Sequence, residues 1–240
     1  MRALVRARAP GLRGRGGRGT IGDVADALAV FVKEPRPGAV KTRLAAAIGA
    51  ERAAALYRAL AEAEIAATSP GAGEYERLFF FEGARDALQR WLPAAPLIAQ
   101  VEGGLGARMA AAFAEAFARG ARRVALIGTD VPWLGRGTVL EALRQLDAHD
   151  VVLGPAEDGG YFLIALGRPL PALFEAIAWS TPTVLADTLA RAAALGLRVH
   201  RLASMPDVDT LDDVRRHWDR LGRILPAPLR AALGPIVEDG

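Results

Sequence analysis

The stretch Val124-Ala-Leu-Ile-Gly-Thr-Asp-Val-Pro132 decides the fold of the chain around it. Its first four residues are apolar, which is typical of a strand buried on both faces of a sheet. Gly128 and Thr129 then allow a turn, and the residue before Pro132 is barred from helical conformation, so Asp130 is presented just beyond the strand. Ligands of open α/β sheets bind in the crevice at this end of the strands. Asp130 is therefore a candidate ligand of a hard cation, although an aspartate in a turn can also simply bond backbone N–H groups.

Length and composition are those of a globular chain. The 240 residues suffice for one large domain or two small ones, and a hydrophobic content of 52% supports a sizeable core. The absence of cysteine excludes disulfides, thiolate zinc sites and a cysteine nucleophile. No apolar run approaches the roughly 18 residues that a membrane span needs. We therefore expect no membrane span and a cytoplasmic location.

The positive charge is concentrated at the amino terminus, where six arginines precede the first acidic residue, Asp23. Without residues 1–19 the chain has 24 basic and 27 acidic residues, a net charge of −3, so nucleic acid is not an expected partner of the folded part. Residues 1–25 are predicted to be a disordered Arg/Gly-rich leader. The leader lacks the apolar middle of a secretory signal, and it is either a nucleic-acid arm or the by-product of an upstream start codon. Residues 26–219 are predicted to form the domain, and residues 220–240 a peripheral tail.

A basic loop follows the first predicted strand, Ala27–Val32. The chain has 30 basic residues, and its only two lysines, Lys33 and Lys41, both lie in this loop. The ammonium group of lysine is a compact point charge, whereas the guanidinium group of arginine is planar and forked. Two lysines in an arginine-rich chain therefore indicate a site that needs a compact positive charge. A basic, glycine-containing loop at this place in an α/β domain is typical of phosphate binding, although the spacing of a Walker loop is missing. The alternative is a solvated cationic loop. The candidate phosphate ligands are Lys33, Gly38, Lys41, Thr42 and Arg43.

Strands and helices alternate along the rest of the chain, which predicts an α/β fold with a mostly parallel central sheet and helices on both faces. The further predicted strands are Arg77–Phe81, Leu97–Val101, Arg122–Ile127, Asp150–Pro155, Phe162–Leu166 and Leu197–Leu202. Three helices are predicted with both ends, Glu51–Ala67, Ala84–Trp91 and Gly137–Leu146. Another helix follows the predicted loop Glu102–Met109 and ends near Arg119. A further helix opens at Trp179–Thr183, with Ser180 or Thr181 as its N-cap, and the last begins after Asp213.

Glycines and acids lie together between the strands that end at Pro155 and begin at Phe162. Gly159 and Gly160 either form the turn of a hairpin or let a sugar or an acceptor lie close to the backbone. Asp158, or Glu157 beside it, is a candidate general base for an acceptor hydroxyl.

A second acid follows a strand in the same way as Asp130. Asp209 is a candidate metal ligand, although Asp209 or Thr210 can also simply cap the next helix. The three histidines show no metal-ligand spacing, and none of the serines lies in a Gly-x-Ser-x-Gly elbow. A hydrolase triad is therefore not expected.

Five segments together resemble the motifs of a bacterial family of predicted glycosyltransferases, some members of which carry the label of arsenosugar biosynthesis. The segments are Phe31–Leu44, Leu126–Pro132, Gly154–Ile164, Trp179–Pro182 and Asp207–Thr210. That family is similar to 2-phospho-L-lactate guanylyltransferases and molybdenum-cofactor guanylyltransferases in the nucleotide-diphospho-sugar transferase superfamily. The resemblance implies a Rossmann-like glycosyltransferase A fold. One run departs from the family, whose Asp-Leu-Gly-Glu-Arg-Met is here Gly104-Leu-Gly-Ala-Arg-Met109, without the acids.

The resemblance also implies an activity. The expected enzyme transfers a sugar from a nucleotide-diphosphate sugar to a small-molecule acceptor with Mg²⁺ or Mn²⁺ as cofactor. Two alternatives stay open. One is a nucleotidyltransferase that joins a nucleoside triphosphate to a phosphorylated small molecule and releases pyrophosphate, and the other is a nucleotide-binding module without turnover. Asp130 and Asp209 would bind the metal, and the expected catalytic residues are Asp130, Lys41, Arg43 and Asp158.

Overall fold

A single seven-stranded sheet organises the protein in a computed structural model that describes residues 26–238. The predicted leader, residues 1–25, lies outside this range. The strands are β1 Asp26–Lys33, β2 Glu76–Glu82, β3 Leu97–Ala99, β4 Arg123–Ile127, β5 Val151–Pro155, β6 Tyr161–Leu166 and β7 Val199–Arg201. Their order across the sheet is β3-β2-β1-β4-β6-β5-β7. Strand β6 runs antiparallel to β4 and β5, and the other neighbours pair in parallel.

Helices lie between the strands in the chain. They are α1 Thr42–Ile48, α2 Ala50–Ala67, α3 Arg85–Trp91, α4 Leu105–Ala118, α5 Arg136–Gln145, α6 Val184–Ala194, α7 Leu211–Arg216, α8 Trp218–Leu221 and α9 Ala227–Glu238. A 3-10 turn, Pro171–Phe174, precedes α6. None of the helices within residues 26–238 is long and apolar enough to cross a membrane.

The central strands contain continuous apolar runs because helices cover both faces of the sheet. On one face, Leu28 of β1 packs in the same cluster as Leu143 of α5. On the other face, Ala29 packs in the same cluster as Phe113 of α4. A strand covered on both sides cannot alternate apolar and polar residues, which explains the continuous apolar runs. The predicted α/β class, with a mostly parallel sheet and helices on both faces, is confirmed.

The predicted loop Glu102–Met109 is wrong in its second half, because α4 already begins at Leu105. Gly104 is the extended residue before the helix, and Gly106 lies in the first turn. A Cβ atom at position 106 would lie 2.7 Å from Nε1 of Trp179. The glycine therefore lets the first turn of α4 pack directly against this ring.

Two predicted helix starts have different outcomes. Helix α6 begins at Val184, later than predicted, and its N-cap residue Thr183 makes no side-chain cap bond. Ser180, a predicted cap, has a left-handed φ of 64°, whereas a capping residue is usually extended. Of the two residues considered as possible caps, Asp209 and Thr210, it is Thr210 that caps α7. Its side chain accepts a bond from the backbone N–H of Asp213, and the Asp213 carboxylate accepts one from Thr210 N–H.

The carboxyl-terminal segment, predicted as a peripheral tail, contains helix α9. Leu233 and Val237 of α9 are buried in a third cluster with Leu44 of α1, Leu56 of α2 and Val208. Helix α9 contacts α2 and α7, so it packs against the helix that directly follows Asp209.

Candidate active site

A cavity of about 840 Å³ opens at the carboxyl ends of β1, β4 and β5, and we call it the carboxyl-end cavity. The sequence-predicted residues that line it are Lys33, Lys41, Thr42, Arg43, Asp130, Asp158, Gly160 and Asp209. Gly38 and Gly159 are not among the lining residues. The two lysines of the chain and the acid beyond β4 therefore share one cavity.

Lys41 joins the two acids that follow separate strands. Its Nζ lies 2.6 Å from Oδ1 of Asp130 and 2.6 Å from Oδ1 of Asp209. The Lys41 side chain is only 3% exposed, whereas the carboxylates are 52% and 41% exposed. Burial alone lowers the pKa of Lys41, but the two carboxylates outweigh it and the pKa lies above its ordinary value. Lys41 is thus a buried, charged ammonium whose two partners face the cavity.

The backbone of Lys41 is left-handed, with φ 47° and ψ 48°, directly before α1. This conformation costs a residue with a side chain about 1–2 kcal/mol. Strain of this kind persists only where the surrounding contacts hold it in place. The two ion pairs of Lys41 provide such contacts and aim its side chain inward.

The loops that carry the two carboxylates are fastened to each other. Val208 N–H donates to the carbonyl of Asp130 over 3.2 Å. Trp133 Nε1 donates to the carbonyl of Pro206 over 2.8 Å, so a side chain from the first loop holds the second. The capping box of α7 also contributes, because the Asp213 carboxylate accepts a bond from Asp209 N–H over 3.1 Å.

Helix α2 supports the same region with two polar side chains that sequence reasoning missed. The hydroxyl of Tyr57 accepts a bond from Lys33 N–H over 2.8 Å and lies 3.0 Å from Oγ1 of Thr129. Oε2 of Glu64 accepts a bond from Val131 N–H over 3.0 Å.

Burial also changes the acidity of these two side chains. It raises the pKa of Tyr57 to about 12. Burial and then the nearby Asp130 raise the pKa of Glu64 well above its ordinary value. Both residues fall within an alanine-rich helix, where periodicity gives no sign of a polar role.

Lys33 lines the cavity but pairs with different partners from those of Lys41. Its Nζ lies 3.4 Å from Oε2 of Glu82, and Nη1 of Arg108 lies 2.6 Å from the same oxygen. Arg43 is exposed in the first turn of α1 and also lines the cavity. The cations therefore surround the cavity from more than one element of the chain.

Acidic side chains occupy the β5–β6 side of the cavity. Oδ1 of Asp158 accepts a bond from Gly160 N–H over 2.8 Å, which fixes the hairpin turn. Asp207, which also lines the cavity, has a pKa raised to about 6 by burial, then by Asp158 and by Asp209. Gly159 instead packs against the chain before α6, because a Cβ atom there would lie 2.1 Å from the carbonyl oxygen of Pro182. Its φ of +91° is a second reason for glycine.

Aromatic and apolar side chains line the remainder of the cavity. They include Phe31, Leu105, Met109, Tyr161, Phe162, Ile164 and Trp179. The lining thus combines cations and carboxylates with apolar side chains, which suits a ligand with a charged and an uncharged end.

The carboxylates at this site could hold a divalent cation only together with ligands from outside the protein. Within residues 26–238, no group of three or more His, Cys, Asp or Glu side chains is arranged to hold a metal. Asp130 and Asp209 provide two carboxylates, each of which contacts Lys41 through Oδ1. Mg²⁺ is usually held by one or two carboxylates together with substrate phosphates and water, rather than by a complete protein cage. The pair therefore suits a cation that arrives with a phosphorylated ligand.

Comparison with known proteins supports a transferase superfamily. A protein from Desulfovibrio desulfuricans G20, provisionally assigned as a nucleotide-diphospho-sugar transferase, is 30% identical. Its crystal structure superposes with a TM-score of 0.79, and the match covers 90% of this chain and 97% of that chain. No curated protein matches the sequence.

More distant solved structures share the fold. A CMP:2-keto-3-deoxy-manno-octonic acid synthetase complexed with CTP is 14% identical with a TM-score of 0.53, over 83% of this chain and 99% of that chain. Rv0371c from Mycobacterium tuberculosis H37Rv, solved as a manganese complex, is 18% identical with a TM-score of 0.50. The match covers 80% of this chain and 97% of that chain. Together with the Desulfovibrio protein they confirm the predicted nucleotide-diphospho-sugar transferase fold. Residues 52–181 match the model of the family described as an uncharacterized protein conserved in bacteria, and the chain belongs to this family, DUF2064.

Proposed function

We propose that this protein is a metal-dependent transferase that takes a sugar from a nucleoside diphosphate sugar and passes it to a small acceptor. The observation that carries the proposal is the meeting of Lys41 with Asp130 and Asp209 at the carboxyl-end cavity. A cation of the chain and two carboxylates suited to a metal are the groups that a diphosphate requires. The arsenosugar association of the resembling family remains a prediction.

The residues of the chain have distinct parts in this proposal. Lys41, Lys33 and Arg43 bind phosphate oxygens and stabilise the charge that develops on the leaving diphosphate. Asp130 and Asp209 hold Mg²⁺ or Mn²⁺, which, when bound, neutralises the leaving group as a Lewis acid. Because the ammonium of Lys41 contacts both carboxylates, it would lie beside a metal that they hold.

The acceptor is proposed to lie on the β5–β6 side of the cavity. Asp158 is the proposed general base for its hydroxyl, held in place by the bond from Gly160 N–H. Gly160 lines the cavity next to it, and Asp207 adds a second, half-buried carboxyl.

Nucleotidyl transfer is the second candidate. The observation that favours it is the number of cations that line one cavity, because Lys33, Lys41, Arg43 and Arg108 together suit a triphosphate better than a diphosphate. In this reaction the cations stabilise charge at the α-phosphate, and pyrophosphate leaves. Binding of a nucleotide without product from any donor would instead support a module without turnover.

The test begins with a thermal-shift panel of nucleoside triphosphates and nucleotide sugars, with and without Mn²⁺, because a ligand that binds the folded state raises the melting temperature. The reaction products of the donors that bind then distinguish the two candidate activities, since glycosyl transfer releases a nucleoside diphosphate and nucleotidyl transfer releases pyrophosphate.

Asp130→Ala is expected to abolish metal-dependent turnover and leave the fold intact, because its carboxylate is half exposed. Asp219→Ala, an exposed position outside the cavity lining, is the matched control. Full activity of the Asp130 variant would exclude its proposed part.

A further inference from the structure

Glu64 is a buried carboxylic acid at the wall of the carboxyl-end cavity, beside the loop that carries Asp130. The residue is 1% exposed, and its Oε2 accepts the hydrogen bond from Val131 N–H. Glutamate is almost never fully buried without a partner, because burying an unpaired polar or charged group is costly. Helix α2 also buries apolar side chains, with Leu56 and Leu60 fully enclosed. An acid among these buried positions therefore needs an explanation beyond the packing of the helix.

The position of Glu64 along α2 matches the loop that it contacts. Tyr57 and Glu64 are seven residues apart, which is about two helical turns, so both project from the same face of α2. Tyr57 contacts Thr129, and Glu64 contacts Val131. The two residues that flank Asp130 are thus each held by a side chain of one rigid helix.

The backbone around Asp130 determines where its carboxylate points. Val131 is 3% exposed, so its N–H cannot be satisfied by bulk water and needs an acceptor. The carbonyl of Asp130 is held from the other side by Val208 N–H over 3.2 Å. The carboxylate itself is half exposed and pairs with Lys41. Removing the acceptor of Val131 would release one of the anchors of this backbone.

We propose that Glu64 is a positioning residue that, through Val131 N–H, holds Asp130 where its carboxylate meets Lys41 Nζ. This inference rests on the proposed function in one respect only, which is that Asp130 is taken to be a metal ligand. If Asp130 holds a metal, loss of Glu64 would displace that ligand, and loss of a group that supports a metal ligand typically weakens metal binding about 10–100-fold.

Lysine labelling tests the position of Asp130 without any ligand. The chain has two lysines, of which Lys33 is 52% exposed and Lys41 is 3% exposed. An amine-reactive reagent, read by peptide mass spectrometry, should modify Lys33 readily and Lys41 slowly in the wild type. Lys33 serves as the internal standard in the same molecule. In Glu64→Met, which keeps the side-chain volume and loses the acceptor, the ratio of Lys41 to Lys33 labelling should rise several-fold.

Three further variants separate positioning from structure. Glu64→Gln keeps an acceptor oxygen, so its labelling ratio should stay at the wild-type value. Glu64→Asp keeps the acid and shortens its reach, so it should resemble Glu64→Met, and it replaces that variant if Glu64→Met fails to fold. Leu88→Ala removes a fully buried side chain of α3 outside the cavity lining and destabilises the core in general. Its labelling ratio should not change in the folded protein. An unchanged ratio in both Glu64→Met and Glu64→Asp, or equal ratios in Glu64→Met and Leu88→Ala, overturns the proposal.

A titration with Mn²⁺ alone, followed by electron paramagnetic resonance, separates this inference from the proposed function. Where the wild type binds Mn²⁺, Glu64→Met should bind it at least about tenfold more weakly and Glu64→Gln nearly as well. If the labelling responds as expected while the wild type binds no Mn²⁺, either alone or together with a nucleoside diphosphate, the positioning role is supported and the metal site of the proposed function fails. If Mn²⁺ binds equally to the wild type and Glu64→Met, the positioning of Asp130 by Glu64 is refuted.

Discussion

Lys41 Nζ lies 2.6 Å from Oδ1 of Asp209, although 168 residues separate the two in the chain. The same ammonium lies 2.6 Å from Asp130, so one buried cation links the loop after β1 with loops that follow two other strands. A divalent metal at this site would share its carboxylates with Lys41. The position of this lysine therefore sets both the shape of the site and the charge that a metal meets.

We expect Lys41→Met to bind Mn²⁺ more tightly in the absence of nucleotide and to lose turnover. Removing the ammonium leaves two carboxylates without their cation, and a unit charge about 4 Å away near a protein surface contributes roughly 4 kcal/mol before screening. An increase of about tenfold or more in Mn²⁺ affinity follows even if most of this energy is screened. Electron paramagnetic resonance measures the affinity, and an unchanged value would contradict competition between Lys41 and the metal.

Alanine at two left-handed glycines should have unequal effects. Gly38 has φ +79°, and a Cβ atom added there would meet no atom within 4 Å, so Gly38→Ala should cost only about 1–2 kcal/mol of backbone strain. Gly159 has φ +91°, and its Cβ would lie 2.1 Å from the carbonyl oxygen of Pro182. Gly159→Ala should therefore be clearly more destabilising in urea denaturation. Equal losses of stability in the two variants would contradict a close contact between Gly159 and the carbonyl oxygen of Pro182.

The stability of the wild type should depend on pH through Glu64. Its pKa is raised above the ordinary 4.5 in the folded protein, chiefly by burial, so folding favours the neutral acid. Its contribution to stability is complete below pH 4.5 and is lost as the pH rises through the folded value. Glu64→Gln cannot ionise, so its stability relative to the wild type should increase with pH above about 4.5. Urea denaturation over a pH series measures the difference, and parallel curves would rule the effect out.

Trp133→Phe should loosen the connection between the two acidic loops. The change removes the bond from Nε1 to the carbonyl of Pro206, which contributes about 1 kcal/mol. It keeps an aromatic ring beneath Arg220, whose guanidinium lies 4.0 Å above the Trp133 ring centre. We expect a loss of about 1 kcal/mol in stability and a higher Mn²⁺ requirement for turnover. Arg220→Ala, which leaves the Nε1 bond in place, is the control and should change stability without changing the Mn²⁺ requirement.

Much of the fold follows from local patterns. Apolar runs identified the strands because both sheet faces are covered, and the Asp158–Gly160 turn predicted the β5–β6 hairpin. Boundaries were harder where tertiary contacts override local preference. Helix α4 starts at Leu105, where Gly106 packs against Trp179, and α6 starts only after Ser180, whose backbone is left-handed.

By itself, the sequence determined the α/β alternation, the basic loop after β1 and the place of Asp130 beyond β4, because these depend on neighbours within a few residues. Tertiary structure alone decided that Lys41 pairs with both Asp130 and Asp209, that Gly159 makes room for Pro182, and that Glu64 supports Val131. Each of these contacts joins residues distant in the chain, and the geometry of such contacts is set by how helices pack on the sheet. Local periodicity records which face of an element is buried, but not which residue it meets there.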